Sequence, residues 1–339
     1  MMNLQKQNKN INESFEKEKI AVIIPAYKTA DTIVNVLKRI PDYVKIIYVV
    51  NDASPDNLET VVNSYIKHDG RVNLINHEKN MGVGASMKTG YFVAKNNGYD
   101  ICIKIDSDDQ MNLEYLPNMI LPIIQRKADY VKGNRFKYLN MIQKMPLNRR
   151  FGNISLSFLT KIASGYWDIF DCTNGFTVIR TEIFNYLNLQ KLHDRFFFEI
   201  NVLIELGILR AVVKDVYVPA FYPEIKKSSL SEFDSLFRFP RLLLKGLLRR
   251  ILINYFIRDF NTISLFIVQG CVLEIIGLIF GITNWMNFAS KGIGTPIGTI
   301  MITFMMLIIG FLLTLQAIVV EINNVPSTPI TSENFYDVS

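Results

Sequence analysis

Two aspartates separated by one residue, in the stretch Asp106-Ser107-Asp108-Asp109-Gln110, are the strongest candidates for chemistry in this sequence. The apolar run before them, residues 100–105, is typical of a buried strand, so both carboxylates are expected at the carboxyl end of a sheet, where open α/β folds bind ligands. Crowded carboxylates repel one another unless a cation lies between them. Mg²⁺ or Mn²⁺ suits oxygen ligands that also hold phosphate. The alternative is an acidic loop end that is only solvated and binds no metal, which would contain the same residue types.

The composition narrows the class of protein. At 339 residues the chain has room for one large domain and an appendage, and its formal charge of +6 does not indicate a nucleic-acid partner. Cys102, Cys172 and Cys271 have no metal-ligand spacing and suit a reducing compartment. Residues 1–18 are polar and charged, without the apolar core of a cleavable signal, so we expect a disordered leader there.

Strands and helices alternate from residue 19 onward. Apolar runs at 20–25, 45–50 and 72–76 are typical of strands, like the run before Asp106. Helices are predicted between them at about 31–39, from Ser54 as N-cap and Pro55 to about 68, and from about 80 to 97. Residues 179–189 and 196–209 are predicted as later helices. The order predicts an α/β fold, with a largely parallel sheet covered by helices.

Gly82 and Gly84 open the third helix and are candidates for a phosphate-binding loop. A dinucleotide-binding fold, however, has its glycines after the first strand, where this chain has Pro25-Ala26-Tyr27. We therefore interpret the glycines as a tight turn with close helix packing. His77 and His193 have no partner at metal-ligand spacing and are predicted to lie at the surface.

Seven short motifs follow one another in a fixed order. They are Ile24-Pro25-Ala26-Tyr27, Val50-Asn51-Asp52-Ala53-Ser54-Pro55-Asp56, Asn80-x-Gly82-x-Gly84-x5-Gly90, Asp106-x-Asp108-x-Gln110, Gly133-Asn134-Arg135, Asp171-x-Thr173-Asn174-Gly175-Phe176 and Phe197-Phe198-Glu199. In order and spacing they resemble the family-2 glycosyltransferases of the GT-A type. Within that family they are similar to the polyprenyl-phosphate subgroup, which includes dolichol-phosphate mannose synthase and the bacterial GtrB-like enzymes. The resemblance extends over residues 20–326.

The resemblance implies a role for each matching residue. The nucleotide-sugar pocket would be lined by Pro25, Tyr27, Asn51, Asp52, Lys88 and Asp106. The metal, Mg²⁺ or Mn²⁺, would be held by Asp106, Asp108 and Gln110. The lipid phosphate would be bound by Arg135, Arg149, Arg150 and Lys227, and the catalytic residues would be Asp171, Arg135 and Asp108. The family usually has Asp-Asp at Asn51-Asp52 and Asn-Glu at Lys28-Thr29, and both places lie near the nucleotide, so the base stays open.

The expected chemistry follows from the two reactants that the resemblance implies, a nucleotide-diphosphate sugar and a lipid phosphate. A bound metal stabilises the negative charge that builds on a departing diphosphate. A phosphate acceptor, with a second pKa of about 6, is mostly ionised at neutral pH. It therefore needs cationic positioning more than deprotonation, and the planar fork of arginine grips phosphate oxygens bidentately.

Several roles stay open at this stage. Asp171 would orient a sugar hydroxyl or act as a weak base. Glu199 is as consistent with a structural role as with the site. Arg149-Arg150 has the alternative of a solvated surface pair, and Lys227 that of a solvated linker.

A basic amphipathic stretch precedes two apolar spans. Arg241, Lys245 and Arg249 recur every fourth residue within 235–260, which is typical of a helix at an anionic membrane surface. The spans 263–283 and 299–320 reach the ~20 residues needed to cross a bilayer. Lys291 is the one cation between them, so the positive-inside rule places the catalytic domain in the cytoplasm. Glu274, inside the first span, is interpreted as a polar contact between helices or subunits.

We therefore expect a catalytic domain over 19–234, an amphipathic helix over 235–260, two transmembrane helices within 261–322 and a cytoplasmic tail over 323–339. The predicted function is inverting transfer of a hexose from UDP-hexose, or GDP-mannose, to polyprenyl (undecaprenyl) phosphate at the cytoplasmic face of the bilayer. Self-association through the spans is a further expectation.

Two other functions stay open. Processive polysaccharide synthases typically carry Gln-x-x-Arg-Trp, whereas Trp167 and Trp285 follow Tyr166 and Asn284 here. A non-catalytic membrane adaptor is disfavoured by the intact Asp106-x-Asp108-x-Gln110.

Overall fold

The structure is a computed structural model that describes residues 15–136, 147–219 and 232–332, with the backbone alone described for 147–151 and 232–238. The chain forms two compact units. The first comprises Met1–Leu247 with Pro326–Ser339, and the second comprises Leu248–Val325. The residues that could do chemistry lie in the first unit.

Strands and helices alternate through the first unit. The strands are β1 (Ile20–Ala26), β2 (Ile46–Asn51), β3 (Val72–Asn76), β4 (Ile101–Lys104), β5 (Tyr130–Asn134), β6 (Thr177–Arg180) and β7 (Val213–Tyr217). The helices are α1 (Ile33–Lys38), α2 (Leu58–Ile66), α3 (Val83–Asn96), α4 (Leu116–Ile124), α5 (Leu147–Ser164) and α6 (Phe198–Leu209). The chain continues through α7 (Glu232–Leu252), a π-helical turn (Ile253–Ile257), α8 (Thr262–Ser290) and α9 (Ile297–Asn323).

The seven strands form one sheet in the order β3-β2-β1-β4-β6-β5-β7. The β1, β2, β3 and β4 strands are mutually parallel, and β5 is parallel to β7. The exception is β6, which lies antiparallel between β4 and β5. Its first residue, Thr177, is in register with both Lys104 and Lys132, so the loop before β6 reaches the same edge as the carboxyl ends of the parallel strands.

The core explains why the sheet forms where the apolar runs lie. Every residue of β4 is buried, as are nearly all of β1 and β2, and helices cover both faces. A parallel sheet covered on both faces reads as continuous apolar runs, which is the pattern of this sequence. The largely parallel α/β sheet predicted from the sequence is therefore confirmed.

Three local predictions differ from the structure. Residues 177–180 form β6 and a 3₁₀ turn follows, where a helix was expected over 179–189. The second helix begins at Leu58 rather than at Ser54, because the Ser54 hydroxyl accepts a hydrogen bond from Lys28 N (2.7 Å) and donates one to Asp56 (2.6 Å). Of the expected leader, residues 1–14 lie outside the described residues, while the ring of Phe15 is buried and packs against Tyr43.

The second unit is a pair of long antiparallel helices, α8 and α9. Both are long and apolar enough to cross a membrane, and most of their apolar side chains are exposed. The carboxylate of Glu274 accepts a hydrogen bond from the Thr314 hydroxyl (3.4 Å), so it makes the contact between helices that we predicted. Near the base of the pair, Glu321 accepts hydrogen bonds from Arg250 and Tyr255, each at 2.6 Å.

Candidate active site

The acidic loop after β4 is held rigidly at the edge of the sheet. The Ser107 hydroxyl donates to Pro25 O (3.0 Å), and the Thr32 hydroxyl donates to Ser107 O (2.7 Å). Arg39 pairs with the Asp109 carboxylate at 2.5 Å, and Asp109 has a left-handed backbone with φ of 61°. These contacts fix the direction of the loop before any ligand binds.

The two aspartates of the predicted metal site have different surroundings. Burial, and secondly the neighbouring Asp106 carboxylate, raise the pKa of Asp108. The Asp108 carboxylate also accepts a hydrogen bond from Gln110 N (3.2 Å). A bound cation would stabilise two carboxylate charges that are held close together in this way.

Asp106 is bonded to a lysine that our sequence reasoning missed. Lys104, on the last position of β4, is 2% exposed and its Nζ lies 3.1 Å from Asp106 Oδ1. The same Nζ pairs with the buried Glu199 from α6, one of the residues whose role stayed open. Although burial opposes its charge, the Asp106 and Glu199 carboxylates raise the pKa of Lys104.

Gly175 leaves the space that this arrangement occupies. A Cβ added at that position would lie 2.3 Å from Asp106 Oδ2 and 2.7 Å from Lys104 Nζ. The backbone of the loop before β6 thus lies directly against the Asp106–Lys104 pair, which brings the loop that carries Asp171 next to the acidic loop.

The residues predicted to line the nucleotide pocket divide into two groups. Tyr27 is exposed at the edge of the sheet, with Lys28 Nζ 5.3 Å from its ring centre. Asn51 and Asp52 are buried and bonded within the protein. Asn51 Nδ2 donates to Asn76 Oδ1 (2.9 Å), and Asn51 Oδ1 accepts from Ser54 N (2.9 Å).

Asp52 organises the glycine loop. Its carboxylate accepts hydrogen bonds from Met81 N (2.8 Å) and Gly82 N (2.7 Å) and lies 2.9 Å from His77 Nδ1. His77 is therefore not a surface residue as we predicted: its side chain is 8% exposed and its Nε2 lies 3.0 Å from the Thr89 hydroxyl. His193, the other histidine predicted to be at the surface, is half-buried, with its ring against Phe197.

The glycine pair is a tight turn with close packing, as we interpreted it. Gly82 has φ of 101°, and a Cβ there would lie 2.6 Å from Asp194 O. A Cβ at Gly84 would lie 2.1 Å from His193 O. Lys88, predicted to bind the nucleotide sugar, pairs with the Asp194 carboxylate of this same neighbouring loop and donates to Leu192 O (3.2 Å).

Arg135 and Asp171 form one unit. Arg135 Nε donates to Asp171 Oδ2 (2.7 Å), Nη2 donates to Oδ1 (3.0 Å), and the Arg135 backbone N–H donates to Oδ2 (3.0 Å). Asp171 is 0% exposed, while 29% of the Arg135 side chain is exposed. A two-point pair of this kind fixes the plane of the guanidinium. The buried carboxylate therefore orients an arginine that still reaches the surface.

A second aspartate, Asp215 on β7, is half-buried with its Oδ1 atom fully buried; it supports this pair and was also missed. Its Oδ2 accepts from Asn134 Nδ2 (2.8 Å) and from Phe170 N (3.1 Å), which are the residues immediately before Arg135 and Asp171. Its Oδ1 has no hydrogen-bond partner among the described residues. Burial raises the pKa of Asp215 to about 6.

We expect Asp215→Asn to change the pH dependence of stability. Because the pKa of the folded state lies above the ordinary value, the folded protein holds an extra proton between about pH 4 and 6, so stability falls as pH rises through that window. The asparagine can accept the same two hydrogen bonds without a charge. It should raise the free energy of unfolding at pH 7.5 by on the order of 2 kcal/mol, with little difference at pH 4.

Thermal unfolding of the full chain at both pH values measures this effect. Asp31→Asn, which removes an exposed carboxylate, is the matched control and should give the same pH profile as the unmodified protein. If Asp215→Asn gives that profile too, Asp215 is not a strained carboxylate.

The remaining predicted residues lie outside what the structure describes. Arg149 and Arg150 are in α5, but their side chains are outside the described residues, and so is the whole of Lys227. Within residues 15–136, 147–219 and 232–332 there is no cluster of three or more histidine, cysteine or acidic side chains that could hold a metal. A cation at Asp106 and Asp108 would therefore need further ligands from a substrate, which is how Mg²⁺ usually binds phosphates in enzymes.

Comparison with known proteins agrees with the geometry. Residues 21–187 match Glycosyl transferase family 2. The chain is 32% identical to UDP-N-acetylglucosamine–dolichyl-phosphate N-acetylglucosaminyltransferase of Methanococcus voltae, over 44% of this chain and 64% of that relative. It is 30% identical to an uncharacterized protein of Methanocaldococcus jannaschii, over 59% of this chain and 87% of that one.

A solved structure shares the fold. Glucosyl-3-phosphoglycerate synthase from Mycobacterium tuberculosis, in complex with Mn²⁺, UDP-glucose and phosphoglyceric acid, superposes with a TM-score of 0.52 at 18% identity, covering 72% of this chain and 83% of that chain. The chain belongs to glycosyl transferase family 2, and its sheet has the GT-A arrangement. The family and fold predicted from the motifs are confirmed.

Proposed function

We propose that this protein is a membrane-anchored, inverting glycosyltransferase that moves a hexose from a nucleotide diphosphate sugar to polyprenyl phosphate. The observation that carries the proposal is the meeting of two charged groups at one edge of the sheet. The acidic loop with Asp106 and Asp108 suits a diphosphate with its cation, and the Arg135–Asp171 unit suits a second phosphate. The M. voltae relative is named for a UDP-sugar donor and a dolichyl-phosphate acceptor, which is the same pair of reactants.

The donor side of the site fits Mg²⁺ or Mn²⁺. Asp106 and Asp108 would hold the ion, with Gln110 as the third predicted ligand, and diphosphate oxygens would complete the shell. The ion would neutralise the charge that develops on the leaving diphosphate. The exposed ring of Tyr27 lies where it can stack on the base, whereas Asn51 and Asp52 act by shaping the loops around it.

The acceptor side positions a nucleophile that is already ionised. Arg135 binds the lipid phosphate. It directs one of the phosphate oxygens at the anomeric carbon of the sugar, on the face opposite the diphosphate. The new bond forms between that oxygen and the anomeric carbon as the bond to the diphosphate oxygen breaks, and its electron pair leaves with the diphosphate. Both oxygens of Asp171 already accept hydrogen bonds from Arg135, so its role is to orient the arginine rather than to take a proton.

The membrane side of the proposal concerns α7 to α9. The two apolar helices α8 and α9 cross the bilayer and α7 lies at its surface, with Lys245 and Arg249 ahead of the first span and Lys291 between the two. By the positive-inside rule, this charge distribution supports a cytoplasmic location for the catalytic unit. A polyprenyl phosphate has its reactive group at the same surface, so anchoring raises the frequency of encounter with the acceptor.

The test is a donor and acceptor panel with the purified full chain in lipid nanodiscs. UDP-glucose, UDP-N-acetylglucosamine and GDP-mannose are offered with undecaprenyl phosphate, and the lipid products are identified by mass spectrometry. We expect one sugar per lipid phosphate, from a UDP-sugar first, with inverted anomeric configuration by NMR. Polymer attached to the lipid would instead indicate a processive synthase, and absence of any turnover would indicate an adaptor.

A further inference from the structure

The segment after the second long helix ends on the catalytic unit. We call Pro326–Ser332 the return segment; its Pro329, Ile330 and Thr331 are buried, although they follow a helix that is mostly exposed. Their partners lie about two hundred residues earlier in the chain, at the turn between α4 and β5. The chain therefore leaves the catalytic unit for the helix pair and comes back to it.

The buried carboxylate of Asp129 receives the return segment. Asp129 is 0% exposed, and its Oδ2 accepts hydrogen bonds from Ile330 N (3.0 Å) and from Val212 N (2.8 Å). Its Oδ1 accepts from Thr331 N (3.0 Å) and from the Thr331 hydroxyl (2.8 Å). Three of these four donors belong to the return segment.

A second residue of the same turn, Arg126, contacts the backbone of the return segment. Arg126, which has a left-handed backbone with φ of 53°, donates from Nη1 to Thr331 O. The same Nη1 lies 3.1 Å from the Glu182 carboxylate. Thr331 is thus held at its N–H, its hydroxyl and its carbonyl, which is recognition of a peptide rather than loose contact.

The hydrogen bonds to the Asp129 carboxylate indicate that this site binds a peptide segment. A fully buried carboxylate is costly unless hydrogen bonds replace its hydration. Without the return segment, Asp129 would retain only Val212 N of its four donors. A carboxylate at the surface would be hydrated by water and would not depend on donors from the return segment.

We propose that Asp129 and Arg126 form a docking site whose occupant is this chain's own return segment. Docking gives the catalytic unit a second attachment to the helix pair, in addition to α7. It also requires that α8 and α9 begin and end on the catalytic side, so the number of membrane crossings is even. We further propose that this attachment is needed for efficient transfer to an acceptor held in the bilayer, a part that rests on the proposed function.

Hydrogen exchange followed by mass spectrometry on the full chain in nanodiscs tests the docking itself. Thr331→Val removes the hydroxyl donor to Asp129, while Thr328→Val makes the same change at an exposed position three residues earlier. We expect Ile330 and Thr331 amides to be protected in the unmodified protein. Thr331→Val should speed their exchange by about two- to tenfold, the loss of one net hydrogen bond, and Thr328→Val should not.

Two results would overturn the docking proposal. One is exchange at residues 330 and 331 as fast as in a free peptide. The other is an equal response to Thr331→Val and Thr328→Val. Protection that disappears on dilution to monomers would show that the occupant comes from a second copy and would overturn the intramolecular assignment.

A chain ending at Val325 tests the consequence for transfer. It keeps both long helices and every residue assigned to the active site. We expect transfer to undecaprenyl phosphate in nanodiscs to fall at least tenfold, while hydrolysis of the donor by water stays within twofold. Equal transfer by the shortened and full chains would contradict the claim that the attachment is needed for transfer. The docking proposal itself would be unaffected. Loss of donor hydrolysis together with transfer would show that the segment only stabilises the fold, whereas failure of the unmodified chain to transfer at all would count against the proposed function.

Discussion

An Asp108→Asn variant is expected to lose glycosyl transfer by about 10²–10⁴-fold, the effect of several kcal/mol of lost stabilisation of the leaving diphosphate. Burial and the neighbouring Asp106 carboxylate raise the pKa of Asp108. Asparagine keeps an oxygen at the site but removes the charge that would hold the cation. Adding a chelator to the unmodified protein should have the same effect, and added Mn²⁺ or Mg²⁺ should reverse it.

The adjacent Asp109 supplies a matched control. Asp109→Asn removes the same charge from the same loop, and asparagine tolerates the left-handed backbone that Asp109 adopts. Its carboxylate pairs with Arg39, so it is not available to a metal in this geometry, and the variant should lose less than tenfold. Initial rates are measured at saturating donor with the metal titrated. Equal losses in the two variants, or full activity in chelator, would contradict the assignment of a metal site to Asp106 and Asp108.

The second large effect is expected at Arg135. Arg135→Ala should lower transfer to lipid phosphate by at least about 10²-fold even at saturating acceptor, because the nucleophile is no longer aligned with the anomeric carbon. Hydrolysis of the donor by water should persist, since the acidic loop is unchanged. Asp171→Asn should give a smaller loss of the same kind, and the double variant should be no worse than Arg135→Ala, because Asp171 acts through the arginine.

The control for this experiment is a similar ion pair at the opposite edge of the sheet. Arg71 precedes β3 and makes a two-point contact with Asp69, with Nε–Oδ1 of 3.0 Å and Nη2–Oδ2 of 2.8 Å. Arg71→Ala therefore removes a comparable pair without touching the site and should leave the ratio of transfer to hydrolysis unchanged. Unchanged transfer in Arg135→Ala would mean that the acceptor phosphate binds elsewhere.

The parallel half of the fold could be predicted from sequence because its signals are local. Each strand from β1 to β4 is a short apolar run, and each ends in residues that must lie at one edge of a parallel sheet. The β6 strand was mistaken for part of a helix. Its four residues have no period of their own, and the partners that make it a strand, Ile101–Lys104 and Tyr130–Lys132, lie far away in the chain.

The candidate site was predictable as a set of residues but not as a network. Lys104 stands in a run that is otherwise apolar, and a lysine inside a buried strand needs a carboxylate partner, so a signal was present. Asp106 is a local partner two residues along the chain, whereas the pairing with Glu199 depends on α6 coming to the same edge. His77 and Asp215 gave no such signal, because their partners Asp52 and Asn134 become neighbours only when the sheet has formed.

The docking of the return segment has a consequence for how the protein is made. Asp129 and Ile330 are 201 residues apart, which a ribosome covers in roughly 10–40 s. During that interval the catalytic unit has emerged, but three of the four hydrogen bonds to its buried carboxylate cannot yet form. They form only after both long helices have been synthesised. If the helix pair crosses the bilayer as proposed, a chain in which it inserts wrongly would keep an incomplete catalytic unit.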